Sequence, residues 1–474
     1  MPALPAAPPA DRGGRVVPAR LAAPRADGTT FITIYLVLLF AIPSRLVVGP
    51  LGTIGAPATV VGLTGTGWWL WHQAAQPFGH PLSFQPVRRM SVVFFGAVML
   101  SYIAAVSRPI SATESSSAQS GVLLLLSWLG ILLVTHDGLP NRERLDTLLR
   151  RLALAVGLMA ALGVLQFATG RPFTNYIQIP GLEATSSLVS VNERGGFARP
   201  AGTAIHPIEF GAVINLMLPL CLHVALHPGP LGRFRRWFPV AAIALSIPLS
   251  ISRSALVSAA IVLAFLVPTW ERRLRRIALV AMSLLGGVVF VAVPGMLGTI
   301  LGLFSGISGD SSTQSRTGSY GLAWEFIQRS PLIGRGFLTF LPEYRILDNQ
   351  YLGLLIDCGV VGLVTLLALF GTGIVVSLIC RRRSTDPATR SLGQSLAAAT
   401  ASATASFALF DAFSFPMFAG ATFLILGITG CLFNLERIQK ALPPKGAARE
   451  RPGVAVASMP SVAAASIGHP GETG

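Results

Sequence analysis

Apolar runs of roughly 16 to 25 residues recur from Phe31 to Leu435, more than any soluble core can absorb. At 1.5 Å of rise per helical residue, each such run suits a hydrocarbon layer about 30 Å thick. The runs do not alternate apolar with polar residues, which excludes a transmembrane β-barrel. A composition 52% hydrophobic and only 12% charged, with a mean hydropathy of +0.64, agrees. The pattern predicts an all-α polytopic bundle of about twelve transmembrane helices. They run Phe31 to Val48, Leu51 to Trp71, Met90 to Val106, Gly121 to Thr135, Leu152 to Thr169, Pro207 to Leu226, Phe238 to Ile251, Ser254 to Trp270, Ile277 to Ile300, Gln350 to Cys380, Leu392 to Phe413 and Pro416 to Leu435.

The formal charge of +16 invites a nucleic-acid reading until the charges are placed. With the N-terminus in the cytoplasm, the inner segments hold 26 of the 36 Lys and Arg and 10 of the 20 acids. The whole positive excess then lies inside, as the positive-inside rule requires, and both termini are cytoplasmic. Basic clusters such as Arg272, Arg273, Arg275 and Arg276, or Arg381 to Arg383, fix topology beside anionic lipid. No nucleic-acid partner is expected. Residues 1–30 and 436–474, rich in small residues and Pro, are expected to be disordered cytoplasmic tails around a transmembrane unit of 31–435. The four cysteines carry no metal-ligand spacing, and no P-loop or strand-led glycine fingerprint is present. Neither a metal nor another cofactor is expected.

Two outer loops, 170–206 and 301–349, exceed the usual connections between packed helices, and such loops tend to carry function. In the second, Tyr320, Trp324 and Ile327 fall on one helical face, which fits either a helix lying on the outer membrane surface or one capping the bundle. Ionisable residues facing this side are the candidates for chemistry. Arg253, in Ser252-Arg253-Ser254, interrupts a long apolar stretch and reads either as an anion-binding residue at an outer turn or as a snorkelling one. Arg199 precedes a helix start made by His206, Pro207 and Glu209, where Glu209 suits the free N–H groups. Asp348 opens the helix after the largest loop and can serve as its N-cap. Gln350 and Asp357, seven apart with Gly353 between, share a face that suits a ligand or another helix.

Together these residues resemble the O-antigen ligases and Wzy-type polysaccharide polymerases, integral membrane glycosyltransferases. The matching pieces are Arg199-Pro200-Ala201-Gly202-Thr203 with His206-Pro207 and Gly211, then Ser252-Arg253-Ser254-Ala255-Leu256. The third and most specific comprises Arg316, Trp324, Ser330-Pro331-Leu332-Ile333-Gly334-Arg335-Gly336-Phe337, Asp348-Asn349 and Gly359-Val360-Val361-Gly362. The resemblance implies a GT-C-like fold with a large outer loop between the ninth and tenth helices, located in the bacterial cytoplasmic membrane. It also implies a glycan donor carried on undecaprenyl diphosphate and transferred on the outer face, with no nucleotide sugar.

Ligases of this family typically carry His before the Asn of the third motif, and Asp348 stands there in this chain. Polymerisation of repeat units is therefore favoured over ligation to a lipid acceptor, with a chain-length regulator protein as an expected partner. On this reading Asp348 acts as base or orients the acceptor and Arg199, Arg253 and Arg316 contact the diphosphate, while His206, Glu209, Arg335, Arg345, Asn349, Gln350 and Asp357 line the substrate site. A twelve-helix transporter is the rival from another class.

Overall fold

The computed structural model describes residues 27–75, 84–185, 193–194, 196–227, 229–305 and 318–441. The described residues up to Glu436 form one compact unit; beyond it, only the helical residues to Ala441 are described. The helices are α1 (Gly28–Phe40), α2 (Pro57–Ala74), α3 (Pro86–Val106), α4 (Ala112–Asp137), α5 (Arg142–Thr169), α6 (Pro207–Leu226) and α7 (Arg233–Leu249). They continue with α8 (Arg253–Leu266), α9 (Arg272–Ala292), α10 (Met296–Ser305), α11 (Tyr320–Arg329), α12 (Gln350–Arg383), α13 (Pro387–Phe407) and α14 (Pro416–Ala441). Their starts follow local chemistry. Pro57, Pro86, Pro207, Pro387 and Pro416 occupy first helical positions, where the missing N–H costs nothing. Asp27, Ser111, Asn141, Ser252, Asn349 and Asp386 cap free N–H groups with side-chain oxygens.

A helix lies at every position where an apolar run demands one, and α3, α4, α5, α6, α9, α12 and α14 are long and apolar enough to cross a membrane. The chain is thus an all-α, multi-pass membrane protein. Two expected spans are corrected. The run from Phe31 to Val48 stops helically at Phe40, just before Pro43, and continues as a two-residue strand, Leu46–Val47, and a 3-10 turn at Gly49–Gly55. The run from Ile277 to Ile300 is cut after Ala292, where Pro294 and a left-handed Gly295 (φ 84°) separate α9 from α10. Short antiparallel pairs tie down the loop 170–206: Leu46 opposite Ala184 and Val47 opposite Glu183, then Glu193 opposite Ala198 and Arg194 opposite Phe197.

The centre of the bundle is α6 and α14, whose apolar windows are 83% and 89% buried, against 6% for the peripheral α9. A helix apolar all round needs that burial or lipid. Aromatic rings from distant segments meet here. Phe413 stacks on Trp128 with centroids 5.2 Å apart and takes Phe337 and Phe407 edge-on at 5.7 and 5.2 Å. Phe337, part of the connection before α12, is fully buried, so that connection is anchored in the core.

Helix α12 is broken. Gly359 has φ 62° and ψ −165°, leaving the carbonyls before it and the N–H groups after it without intrahelical partners. The stretch 331–336 supplies them. Arg335 and Gly336 N–H donate to the Ile356 and Asp357 carbonyls at 3.0 and 2.8 Å, while Val360 and Val361 N–H donate to the Pro331 and Leu332 carbonyls at 2.9 and 3.1 Å. A Cβ on Gly334 would collide with the Asp357 backbone, and one on Gly359 with the Leu332 backbone. Backbone at this depth is tolerated because every such group finds protein partners.

Helix α11 differs from its expected face. Ala323 and Ile327 turn into the bundle, while Tyr320 and Trp324 are 52% and 60% exposed. Ile327 thus belongs to the packed stripe and not to the aromatic one.

Candidate functional site

The starts of α6, α8, α12 and α14 meet at one end of the bundle, joined by side chains near each start. Glu209, in the first turn of α6, accepts the Met417 and Phe418 N–H of α14 at 2.9 and 3.2 Å and the Ile205 N–H at 2.9 Å. Its buried carboxylate is fully committed to the helix starts. Asn215 reaches across from α6 to the Ala255 carbonyl of α8 at 3.0 Å. Gln350 accepts the Phe413 N–H at 2.8 Å, joining α12 to the connection before α14.

Both arginines named from the outer motifs that the structure describes are found here. Arg199 is half-buried and donates from Nε to the Ser250 carbonyl at 3.2 Å, one turn before Arg253. Arg253 is the first residue of α8, whose N-cap is Ser252. Between them Ile251 is buried with φ 45°, a conformation that a β-branched residue adopts only when its surroundings impose it. Gln166 of α5 holds the Arg199 segment from behind, accepting the Ala201 and Gly202 N–H at 3.1 and 2.7 Å. His206 caps α6, with Nδ1 accepting the Ile208 N–H at 3.2 Å. Burial, then the Arg199 charge, pushes the imidazole down to about 4, so it is neutral at physiological pH and carries its proton on Nε2.

Asp348 corrects its expected cap role. The cap of α12 is Asn349, whose Oδ1 accepts the Tyr351 and Leu352 N–H at 3.0 and 3.2 Å. Asp348 stands one residue outside, half-buried, at φ 51°, a left-handed position that Asp tolerates better than most residues. Beside it lies Asp411, in the connection between α13 and α14. Asp411 accepts the Asn349 N–H at 3.2 Å. Burial, then the Asp348 charge, raises it to about 6. This carboxylate pair at a helix start was not read as a pair from the sequence, because 62 residues separate Asp411 from Asn349.

Other site residues are engaged in holding the outer loop. Arg335, half-buried, forms an ion pair with the buried Glu114 and lies over the Phe326 ring at 4.9 Å and the Tyr344 ring at 5.2 Å. Tyr344 also donates to Glu114 at 3.0 Å. Glu114 closes a capping box with Ser111 at the start of α4, a signature visible in Ser111-x-x-Glu114. Asp357 is buried, and its oxygens accept the Leu338 and Phe340 N–H at 2.9 and 3.1 Å. Gln350 and Asp357 therefore serve different partners. Arg345 is exposed and donates to Ser319 at 2.9 Å. Arg316 lies outside the described residues. Among the described residues, no group of three or more His, Cys, Asp and Glu side chains is placed to hold a metal ion.

Four helix N-termini, two arginines and a carboxylate pair make an end of the bundle suited to a polyanion and to a proton transfer. A family model described as O-antigen ligase matches residues 238–367. The matched segment includes Arg253, the broken helix, Asp348 and Asn349; Arg199, His206, Glu209 and Asp411 lie beyond it. No curated protein matches the chain.

Proposed function

We propose that this chain, a member of the O-antigen ligase and Wzy-type family through residues 238–367, joins glycan repeat units carried on a lipid diphosphate, at the end where α6, α8, α12 and α14 begin. The observation that carries the proposal is that Arg199 and Arg253 stand beside the start of α8, and Asp348 and Asp411 beside those of α12 and α14, starts that Glu209, Asn215 and Gln350 tie together. The donor is taken to be undecaprenyl-diphosphate-linked and the reaction extracytoplasmic, across a bundle of twelve crossings with both termini cytoplasmic.

The chemistry follows from the groups. An acceptor sugar hydroxyl attacks the anomeric carbon of the donor; a glycosidic C–O bond forms, and the bond from that carbon to the diphosphate oxygen breaks. The lipid diphosphate leaves with the electron pair, and the hydroxyl proton passes to Asp348. Arg199 and Arg253, joined by Arg316 from the outer loop, grip diphosphate oxygens with planar donor forks, aided by the positive ends of the helices. Burial and the Asp348 charge beside it favour proton uptake at Asp411, which gives the site a second carboxylate next to the proposed base.

Asp348 in the place of a ligase His favours polymerisation, with a chain-length regulator as partner. Membranes containing the protein, supplied with lipid-linked repeats, are expected to yield a ladder of lengths. A single transfer onto a lipid acceptor would assign ligation instead, and no transfer at all would sink the reading.

A further inference from the structure

A cavity of about 530 Å³ lies at the opposite end of the bundle from the proposed site, among the ends of α6, α8 and α12 and the starts of α9 and α13. One wall is apolar, made by Leu226, Leu266 and Trp270. The other carries the guanidiniums of Arg381 and Arg390, close enough to repel one another. Arg381 is held in place by a 2.8 Å bond to Gln394 Oε1, and Gln394 is in turn tied to the Phe265 carbonyl at 2.5 Å. Further hydrogen-bonding groups line the cavity, among them Ser391, bonded to His223 Nδ1 at 3.0 Å, and His227. The acid in the lining, Glu271, is exposed.

Two like charges side by side on a half-apolar cleft, one of them exposed, repel one another, and an anion between them relieves that repulsion. A guanidinium pair matches the oxygens of a phosphate ester, and the apolar wall matches a hydrocarbon attached to it. The N–H groups at the start of α13 are already capped by Asp386, so the side chains of Arg390 and Ser391, one turn further on, are what that helix offers an anion. Basic pockets between membrane helices take phospholipid headgroups in this way.

We infer that this cavity is a binding site for a phosphate ester, separate from the proposed transfer site and facing the other side of the bundle. Its chemistry fits the headgroup phosphate of an anionic phospholipid with its first methylenes, or a soluble phosphate ester.

Native mass spectrometry of the purified full chain tests this, with phosphatidylglycerol, phosphatidylcholine and glycerol 3-phosphate as probes. The wild-type chain is expected to retain phosphatidylglycerol over phosphatidylcholine, and Arg381→Gln with Arg390→Gln to weaken that retention by at least about tenfold. Because Arg381 also bonds Gln394, the exposed Arg390→Gln alone is the variant that leaves packing intact, and it should show part of the loss. Displacement by glycerol 3-phosphate would support a soluble occupant, and its failure a lipid one. A control pair at the same end but outside the cavity, Arg276→Gln with Arg382→Gln, should retain lipid as the wild type does. Equal retention in all variants, or an equal loss in the control pair, would overturn the site.

Discussion

At the residue scale the proposed reaction depends on a few groups that can be changed without touching the core. Asp348→Asn keeps size and hydrogen bonding but cannot take a proton, so repeat transfer in membranes should fall by at least about 100-fold with expression unchanged. Retained turnover would remove Asp348 as base. Arg199→Lys and Arg253→Lys keep the charge and lose the planar fork; each should cut transfer by about tenfold, measured at saturating lipid-linked donor. Asp411 makes a prediction of opposite sign for stability. Its folded-state value of about 6 lies above the ordinary carboxylate range, so the folded protein binds the proton more tightly than the unfolded chain. Stability from this group is present at low pH and is lost as pH rises from about 4 through about 6. Asp411→Asn removes that cost, and its thermal midpoint at pH 7 should exceed the wild type's while transfer falls. A midpoint below the wild type's would contradict the assignment. Arg199, Arg253 and Asp348 were legible in the sequence because each interrupts apolar or loop sequence next to a helix start. The pairings that occupy Arg335 and Asp357 were not: Glu114 precedes Arg335 by 221 residues, and Asp357 is satisfied by backbone N–H groups that no side-chain pattern reveals.

At the scale of elements, the apolar runs announced the helices and prolines announced many of their starts. Periodicity could not announce the break in α12, since Gly359 sits inside a run that stays apolar on both sides. Its partner stretch reads as an ordinary loop containing Gly334 and Gly336. Gly359→Ala and Gly334→Ala should each cost roughly 1–3 kcal/mol or more, because a Cβ meets backbone at either position and both residues are left-handed. Detergent melting curves check this. Gly371→Ala, later in the same helix with open space around its Cβ, should leave the melting curve unchanged. Glu209 is the corresponding tie between α6 and α14. Glu209→Gln preserves an acceptor for the Met417 and Phe418 N–H groups, whereas Glu209→Leu leaves buried donors unpaired, so only the second should lower yield and melting temperature sharply.

For the whole molecule, the partition of charge is the argument for orientation, and it concerns opposite ends of the same bundle. A chain with its native cysteines replaced, carrying a single cysteine at Ala184 or at Arg382, should react with a membrane-impermeant maleimide from opposite sides in intact cells and inverted vesicles. Labelling of both from one side would reverse the proposed topology. The sequence conveyed the membrane class because hydropathy is additive along the chain. The meeting of four helix starts escaped it because that depends on tertiary contacts between residues as far apart as Glu209 and Phe418. The broken α12 also bears on how such chains can be recombined. The stretch 331–336 and the turns flanking Gly359 complete each other's hydrogen bonding, so neither survives as an independent module. A chimera that exchanges the 301–349 loop with a relative must cut before residue 330 and after residue 361, taking both halves from one parent; a junction between them would put four interior backbone hydrogen bonds at risk.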